Sequence, residues 1–285
     1  MKINKRPISV SILLCTYNGE HALKEQIESI LSQTYKEWNL YVHDDGSTDS
    51  TLDIINHYIK IYSNIYLIED SIKGRGARDS FMWLLEHIES DYYMFCDQDD
   101  IWLDNKIELT INKLKELEDN DKIIPVIVHS DLIVVDSYLN LISGSFWKYS
   151  KISPNLLTNM RNLQILNCVT GCAMGFNKAA KLCSLPMNEL APMHDWWIAL
   201  STLKANGIIE IIAMPTIKYR QHSKNVVGAR NIGMKYVFNK MRTVISVINE
   251  NEKHYRFLKS FSGMNRFRYY LTKLILSVKR FYYVS

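Results

Sequence analysis

The stretch Tyr92-Tyr93-Met94-Phe95-Cys96-Asp97-Gln98-Asp99-Asp100 sets three carboxylates within four residues directly behind a short apolar and aromatic run. Such a run reads as a buried strand, which puts the carboxylates where that strand leaves its sheet. Carboxylates this close raise one another's pKa unless a cation joins them. Hard oxygen ligands at a strand end suit Mg²⁺ or Mn²⁺, usually shared with substrate phosphates. The competing reading is an acidic turn that caps the next helix, since Asp is a good N-cap.

Working outward, residues 8–14 read as a first strand and lead into the polar turn Thr16-Tyr17-Asn18-Gly19. Leu23, Ile27, Ile30 and Leu31 have the spacing of a helix over about 20–33. Residues 38–43 alternate as a second strand that ends at Asp44-Asp45-Gly46-Ser47. A helix to about Tyr62, a strand at 65–68, a basic glycine-rich segment at 73–78 and a helix to about His87 precede the opening stretch. Another helix is expected at 106–117. Strands alternating with such helices indicate βαβ units and a parallel sheet covered on both faces. Ligands of these sheets bind at the carboxyl ends of strands, where all three polar motifs fall. A Rossmann or Walker glycine loop is absent, so phosphates must be neutralised another way, and a carboxylate-bound metal is the direct route.

The second half is less regular. Strands are expected at 123–128, 132–135 and 208–213, helices at 178–183 and 195–205, and a small-residue turn at Thr170-Gly171-Cys172-Ala173. Beyond Met234 the chain reads as two helices, one striped by Val237, Met241, Val244 and Ile248, the other by Phe267, Leu271, Leu274, Val278 and Phe281. Eleven Lys or Arg against two Glu in that tail leave an acidic remainder, which points to an acidic partner for the tail. At 285 residues, with 47% hydrophobic and 22% charged residues, the chain has the profile of a folded protein, and no apolar run reaches the roughly 20 residues of a membrane span. The start reads as a strand rather than a signal peptide. Five cysteines, odd in number and mostly in apolar runs, fit free thiols of a reducing cytosol.

Several of these segments resemble a known family. Val10 to Gly19, Ser32-Gln33-Thr34-Tyr35 and Asp44 to Asp49 look like family 2 glycosyltransferases of GT-A fold. Cys96-Asp97-Gln98-Asp99-Asp100-Ile101-Trp102 and His194-Asp195-Trp196-Trp197 look like the bacterial rhamnosyltransferase-like branch that builds surface polysaccharides. The resemblance covers about 8–230 and implies an α/β GT-A fold: one mostly parallel twisted sheet flanked by helices, a Rossmann-like nucleotide half (about 1–122) and an acceptor half (123–233), with a basic amphipathic helical tail at 234–285. It implies an inverting, metal-dependent transfer from a nucleotide-diphospho-sugar, dTDP-L-rhamnose first, to a lipid-linked or polysaccharide acceptor.

Carried over residue by residue, Thr16, Tyr17 and Asn18 match positions at the nucleotide. Asp45 matches the carboxylate that accepts from a pyrimidine N–H, and Arg78 a basic residue near base and phosphates. Asp97 and Asp99 match the D-x-D pair, with Asp97 toward ribose or metal water and Asp99 the better direct ligand of Mg²⁺ or Mn²⁺, and Gln98 between them joins the nucleotide-sugar site. His222 matches a histidine that completes the metal shell. Asp195 matches the base that takes the acceptor hydroxyl's proton. Gly171 and Cys172 match the loop beneath the acceptor. Of the neighbouring Trp196 and Trp197, read from residue type alone, one is expected to offer a platform for a sugar face, with Trp196 first, and the other to pack in the core. Asp100 has no assigned role, and Asp79 departs from the branch's usual Asn.

Two other enzyme readings stay open: a hexosyltransferase using UDP-glucose or UDP-galactose, and a sugar nucleotidyltransferase, although Thr16-Tyr17-Asn18-Gly19-Glu20 lacks the basic glycine loop the latter wants. Nothing resembles a nucleic-acid motif. The expected location is the inner face of the cell membrane, reached peripherally through tail contacts with anionic lipid, and a homodimer stays open.

Overall fold

The computed structural model of the chain describes residues 8–118, 123–221 and 244–282. Strands β1 (Val10–Thr16), β2 (Asn39–Asp44), β3 (Ile65–Leu67) and β4 (Tyr92–Cys96) alternate with α1 (Leu23–Leu31), α2 (Thr51–Ile61) and α3 (Ala77–His87), and all four strands pair in parallel. Side chains divide between the two faces of the sheet as the two-residue period demands. Val10, Ile12 and Leu14 of β1 join Tyr92, Met94 and Cys96 of β4 on one face, while Leu13, Tyr93 and Phe95 take the other. The first face packs on α1, α2 and α4 (Lys106–Leu117) through Leu23, Ile27, Ile55 and Ile111. The second packs on α3 and α9 (His194–Lys204) through Phe81, Leu84, Ile198 and Leu200.

The rest of the sheet is β5 (Ile101–Trp102), β6 (Val126–Val135), β7 (Leu141–Ser143), β8 (Met174–Asn177) and β9 (Ile208–Arg220). The strand order is β3-β2-β1-β4-β8-β6-β9-β5, with β7 on β6. Strand β8 meets both β4 and β6 antiparallel, so the sheet is parallel over β1–β4 and mixed as a whole. Single-turn helices α5 (Phe146–Tyr149), α6 (Pro154–Leu157) and α7 (Met160–Leu163), together with α8 (Lys178–Ser184), fill the connections.

Two strands differ from expectation. The pair at 123–128 and 132–135 is one strand, because its polar middle finds tertiary partners: Ser130 Oγ lies 2.6 Å from Thr216 Oγ1, and Asp131 accepts from the Trp147 amide. Strand β9 runs past Pro215 to Arg220, because register shifts against Asp131 of β6 spare the proline a ladder bond it cannot make.

Two tail helices, Val244–Ser262 and Arg266–Tyr282, turn at Gly263 (φ 68°). Tyr255, Phe257, Leu258 and Phe261 of the first, with Tyr269 and Leu276 of the second, belong to the same core cluster as α9. The Trp197 ring centroid stands 6.3 Å from Phe257 and 5.7 Å from Phe261. The expected second stripe is not the packed one: Phe267, Leu271, Leu274 and Val278 are exposed, as is Ile248 of the first helix. The helix carries two apolar faces, and the one with the large Tyr269 ring took the core. Val237 and Met241 lie outside the described residues.

Candidate active site

Strands β1 and β2 end level, Thr16 beside Asp44, and β4 ends beside them at Cys96, opposite Leu14, so their three polar turns share one rim. Thr16 Oγ1 donates to Asp44 Oδ1 at 2.9 Å. Asn18 holds a left-handed φ of 48°, which Asn tolerates, and its Oδ1 accepts from Thr48 N at 2.8 Å. Gln98 clamps the backbone of Tyr17: its Oε1 accepts from Tyr17 N at 2.9 Å and its Nε2 donates to Tyr17 O at 3.0 Å. The first and fourth strand ends are thus locked together by one amide, while the Tyr17 ring stays exposed.

A Cβ on Gly19 would stand 2.3 Å from Gln98 Oε1. Gly19→Ala is therefore expected to break the Gln98 clamp, cost about 1–3 kcal/mol of stability as overpacking does, and raise the donor KM more than it lowers kcat. Steady-state kinetics beside a thermal melt checks this; an unchanged KM refutes the clamp's role.

Asp45 accepts from Arg75 N at 2.9 Å and Gly76 N at 2.8 Å, one bond per carboxylate oxygen, which folds the basic glycine-rich loop over it. Each oxygen keeps acceptor capacity. Gly76 has the positive φ (77°) that this approach demands. Arg78 is more committed than a free phosphate ligand would be. Its Nε and Nη2 pair with Asp79 at 2.7 and 2.9 Å, and Nη1 donates to the carbonyls of Glu189 and Ala191. Asp79 is thereby the anchor of Arg78 and not an independent contact.

The acidic cluster splits in two. Asp97 and Asp99 line the cleft, and Asp100 is fully buried behind them. Burial pushes the Asp97 carboxyl up, helped by Asp99 and then Asp195; burial, then Asp99 and Asp97, pushes Asp100 well up. Asp100 Oδ1 accepts from Arg220 N at 3.2 Å, and Arg220 ties the turn down further, donating from Nε to Asp99 O at 2.8 Å, from Nη1 to Ser137 O at 2.9 Å and from Nη2 to Glu25 at 2.5 Å. Asp100 is thus a structural anchor of the turn. Arg220, two residues before His222, carries no local signal in the sequence, because its four partners come from three distant segments. His222 itself lies outside the described residues.

A divalent cation fits this chemistry: Asp97, destabilised as an anion by burial and by the neighbouring Asp99, gains from a hard cation that both cleft-lining carboxylates can face. Asp97, Asp100 and Cys172 also bring ligand atoms within 4.8 Å of one another. That trio has a soft thiol, and two of its members, Asp100 and Cys172, are buried beneath the floor, so the cleft-lining pair Asp97 and Asp99 is the better placed to face substrate phosphates.

Across the cleft, Asp195 lies in the first turn of α9, whose N-cap is Met193, so it is not itself the cap. Its Oδ2 accepts from Gly171 N at 3.0 Å; its Oδ1 accepts from Trp196 N at 2.5 Å and, weakly, from Asn167 Nδ2 at 3.4 Å. Burial raises its carboxyl to about 7, against the pull of those backbone donors. The value suits a general base working near neutral pH. Asp195 lines the same cleft as Asp97 and Asp99, and its charge helps raise the Asp97 carboxyl.

Gly171 allows this approach, since a Cβ there would lie 2.9 Å from His194 Nε2. His194 is buried between Phe81 and Phe95, with ring centroids at 4.6 and 4.9 Å, and burial lowers it to about 3, so it is neutral at working pH. Cys172 departs from expectation: it is 1% exposed, does not line the cleft, and its thiol sits against Asp97 and Asp100, so it supports the floor and does not touch an acceptor. Trp196 lines the cleft, fixed by its Nε1 donating to Leu163 O at 2.6 Å and by the His254 ring 4.6 Å away. Trp197 is core, donating to Ser184 O. Asn167 and His254 were not anticipated; both come from segments without a motif.

Thr16, Tyr17, Asn18, Asp45, Arg78, Asp97, Gln98, Asp99, Gly171, Asp195 and Trp196 together line one cleft of about 1860 Å³. The family model for glycosyl transferase family 2 matches residues 11–182. The chain is similar to the dTDP-rhamnosyl transferase RfbG of Shigella flexneri, with 28% identity over 81% of this chain and 78% of that one. It is similar to the UDP-Glc:alpha-D-GlcNAc-diphosphoundecaprenol beta-1,3-glucosyltransferase WfgD of Escherichia coli, with 31% identity over 71% and 72%. In fold it resembles Staphylococcus aureus TarS 1–349, with a TM-score of 0.56 and 18% identity over 75% of this chain; it spans 60% of that chain's length.

Proposed function

This chain belongs to glycosyl transferase family 2, and from that premise we propose that it moves L-rhamnose from dTDP-rhamnose, with inversion, onto a growing bacterial surface glycan. The observation that carries the reading is Asp195, a carboxyl raised to about 7, facing the Asp97 and Asp99 turn across one cleft. Asp195 takes the proton of the acceptor hydroxyl as that oxygen attacks the anomeric carbon; the bond from that carbon to the diphosphate breaks, and the nucleoside diphosphate leaves. A single base suffices, unlike the carboxylate pair of glycoside hydrolysis.

The nucleotide half, 1–122, holds the donor: Thr16, Tyr17 and Asn18 border the base, Asp45 accepts its N–H, and Arg78 stands near the phosphates. Asp97, Asp99 and His222 would hold Mg²⁺ or Mn²⁺, with Gln98 fixing the turn. The bound ion would neutralise charge on the departing diphosphate. The acceptor half, 123–233, presents Gly171 and Trp196. The tail, 234–285, completes the acceptor side, since His254 backs Trp196.

The relative WfgD is named for an acceptor on a diphosphoundecaprenol lipid, which supports a lipid-linked acceptor and work at the inner membrane face. No helix among the described residues is long and apolar enough to cross a membrane, so attachment would be peripheral. The second reading, a UDP-glucose or UDP-galactose transferase, rests on the same relative's donor. Family membership leaves the nucleotidyltransferase reading without support.

A thermal-shift panel of dTDP-rhamnose, UDP-glucose and UDP-galactose with Mn²⁺ separates the donors. dTDP-rhamnose should give the largest shift, and one larger with a UDP-sugar replaces rhamnose with that donor.

A further inference from the structure

The helix Arg266–Tyr282 is apolar on two opposite sides. Tyr269, Thr272 and Leu276 are buried against the core. About half a turn away, Phe267, Leu271, Leu274 and Val278 form an i, i+4, i+7, i+11 row that is 79%, 42%, 64% and 48% exposed. Isolated exposed apolar side chains are ordinary, but a row of four along one helix is a surface waiting for a partner. The chemistry around it names the partner. The helix sequence holds Arg266, Arg268, Lys273, Lys279 and Arg280 and no carboxylate. At about 100° per residue, Arg268 and Lys279 fall on one flank of the row and Arg266 on the other. A second protein surface would want carboxylates spaced to match; an anionic lipid leaflet offers a continuous negative layer over hydrocarbon, which this cross-section fits.

We propose that this helix lies in the headgroup layer of an anionic bilayer, with Phe267, Leu271, Leu274 and Val278 inserted, and that it thereby sets the acceptor end of the cleft at the lipid surface. The inference deepens the lipid-linked acceptor reading and rests on it. The geometry couples the two ends. Lys273 reaches Asn251 on the neighbouring tail helix, and Asn251, His254 and Lys273 line the cleft. The His254 ring packs tilted against Trp196, the residue after the base, with centroids 4.6 Å apart. The helix pair thus joins the lipid face to the acceptor side within a few residues, and an acceptor anchored in the leaflet needs only to reach over this pair to meet Asp195.

Deleting the tail is a poor probe, because Tyr255, Phe257 and Leu258 are core. Surface substitutions serve instead. The test is sedimentation of the full chain with vesicles of phosphatidylcholine alone or with about 30% phosphatidylglycerol. Binding should require phosphatidylglycerol, weaken in about 0.5 M salt, and fall about tenfold or more in Phe267→Ser/Leu274→Ser and in Arg268→Glu/Lys279→Glu. Transfer to a water-soluble acceptor should stay near the wild-type rate in both variants, which separates failure of this inference from failure of the transferase reading. Wild type that ignores anionic vesicles, or variants that sediment with them unchanged, overturns it. So does a stripe variant that turns a solution dimer into monomer without altering vesicle binding, since the row would then cover a second copy of the chain.

Discussion

Asp195→Asn should lower the rate of transfer by about 10²–10⁴ while leaving donor affinity within about twofold. The amide keeps an oxygen for the Gly171 N–H, so the loop geometry holds, but it cannot accept the hydroxyl proton. Wild-type activity should rise with unit slope as pH approaches about 7 and then level off, because burial holds the Asp195 carboxyl near 7 and only its anion is a base. The residual rate of the variant should lack that break. Stability should move the other way. A carboxyl whose folded pKa lies above its unfolded value of about 3.9 costs stability as pH rises between the two. The Asn variant should therefore melt with wild type at about pH 4 and above it at about pH 8, the gap opening between. A pH–rate profile and a melt series check both arms. Full activity in the variant moves the base elsewhere.

Chelation, or Asp99→Asn, should remove transfer by about 10³, in line with the several kcal/mol a metal supplies as a Lewis acid. Asp97→Asn should do the same, with a smaller loss of donor affinity. A Mn²⁺ titration followed by electron paramagnetic resonance gives a readout apart from turnover. Affinity should fall about tenfold or more in Asp97→Asn and Asp99→Asn. Asp100→Asn and Cys172→Ser should bind Mn²⁺ nearly as wild type does, because both residues are buried beneath the floor and Asp100 is engaged by Arg220 N. The reverse pattern, with Asp100 and Cys172 essential and Asp99 dispensable, places the ion in the buried trio and refutes the cleft-lining pair.

The first four strands and their helices were legible because their signals are local. Apolar runs of strand length, helices of period 3.6 and polar turns at strand ends each fit within a dozen residues, and the strand Tyr92–Cys96 and helix Lys106–Leu117 fall where periodicity put them. The chain beyond residue 122 was less legible because its strands are interrupted by polar residues and a proline. Asp131 and Pro215 read as breaks, and only their partners across the sheet let β6 and β9 run through. The tail's helices were legible, but not the choice between two apolar faces.

Residue types and strand ends alone determined that this chain carries a parallel nucleotide fold with carboxylates at its mouth, since hydrophobic period and turn chemistry are written along the chain. The division of labour within Asp97-Gln98-Asp99-Asp100 was not. The sequence spaces these four residues evenly, yet only the tertiary structure turns Gln98 onto Tyr17, buries Asp100 against the Arg220 amide, and leaves Asp97 and Asp99 to face Asp195. Burial and long-range hydrogen bonds set those roles, and both depend on segments about a hundred residues away, where no local pattern reaches.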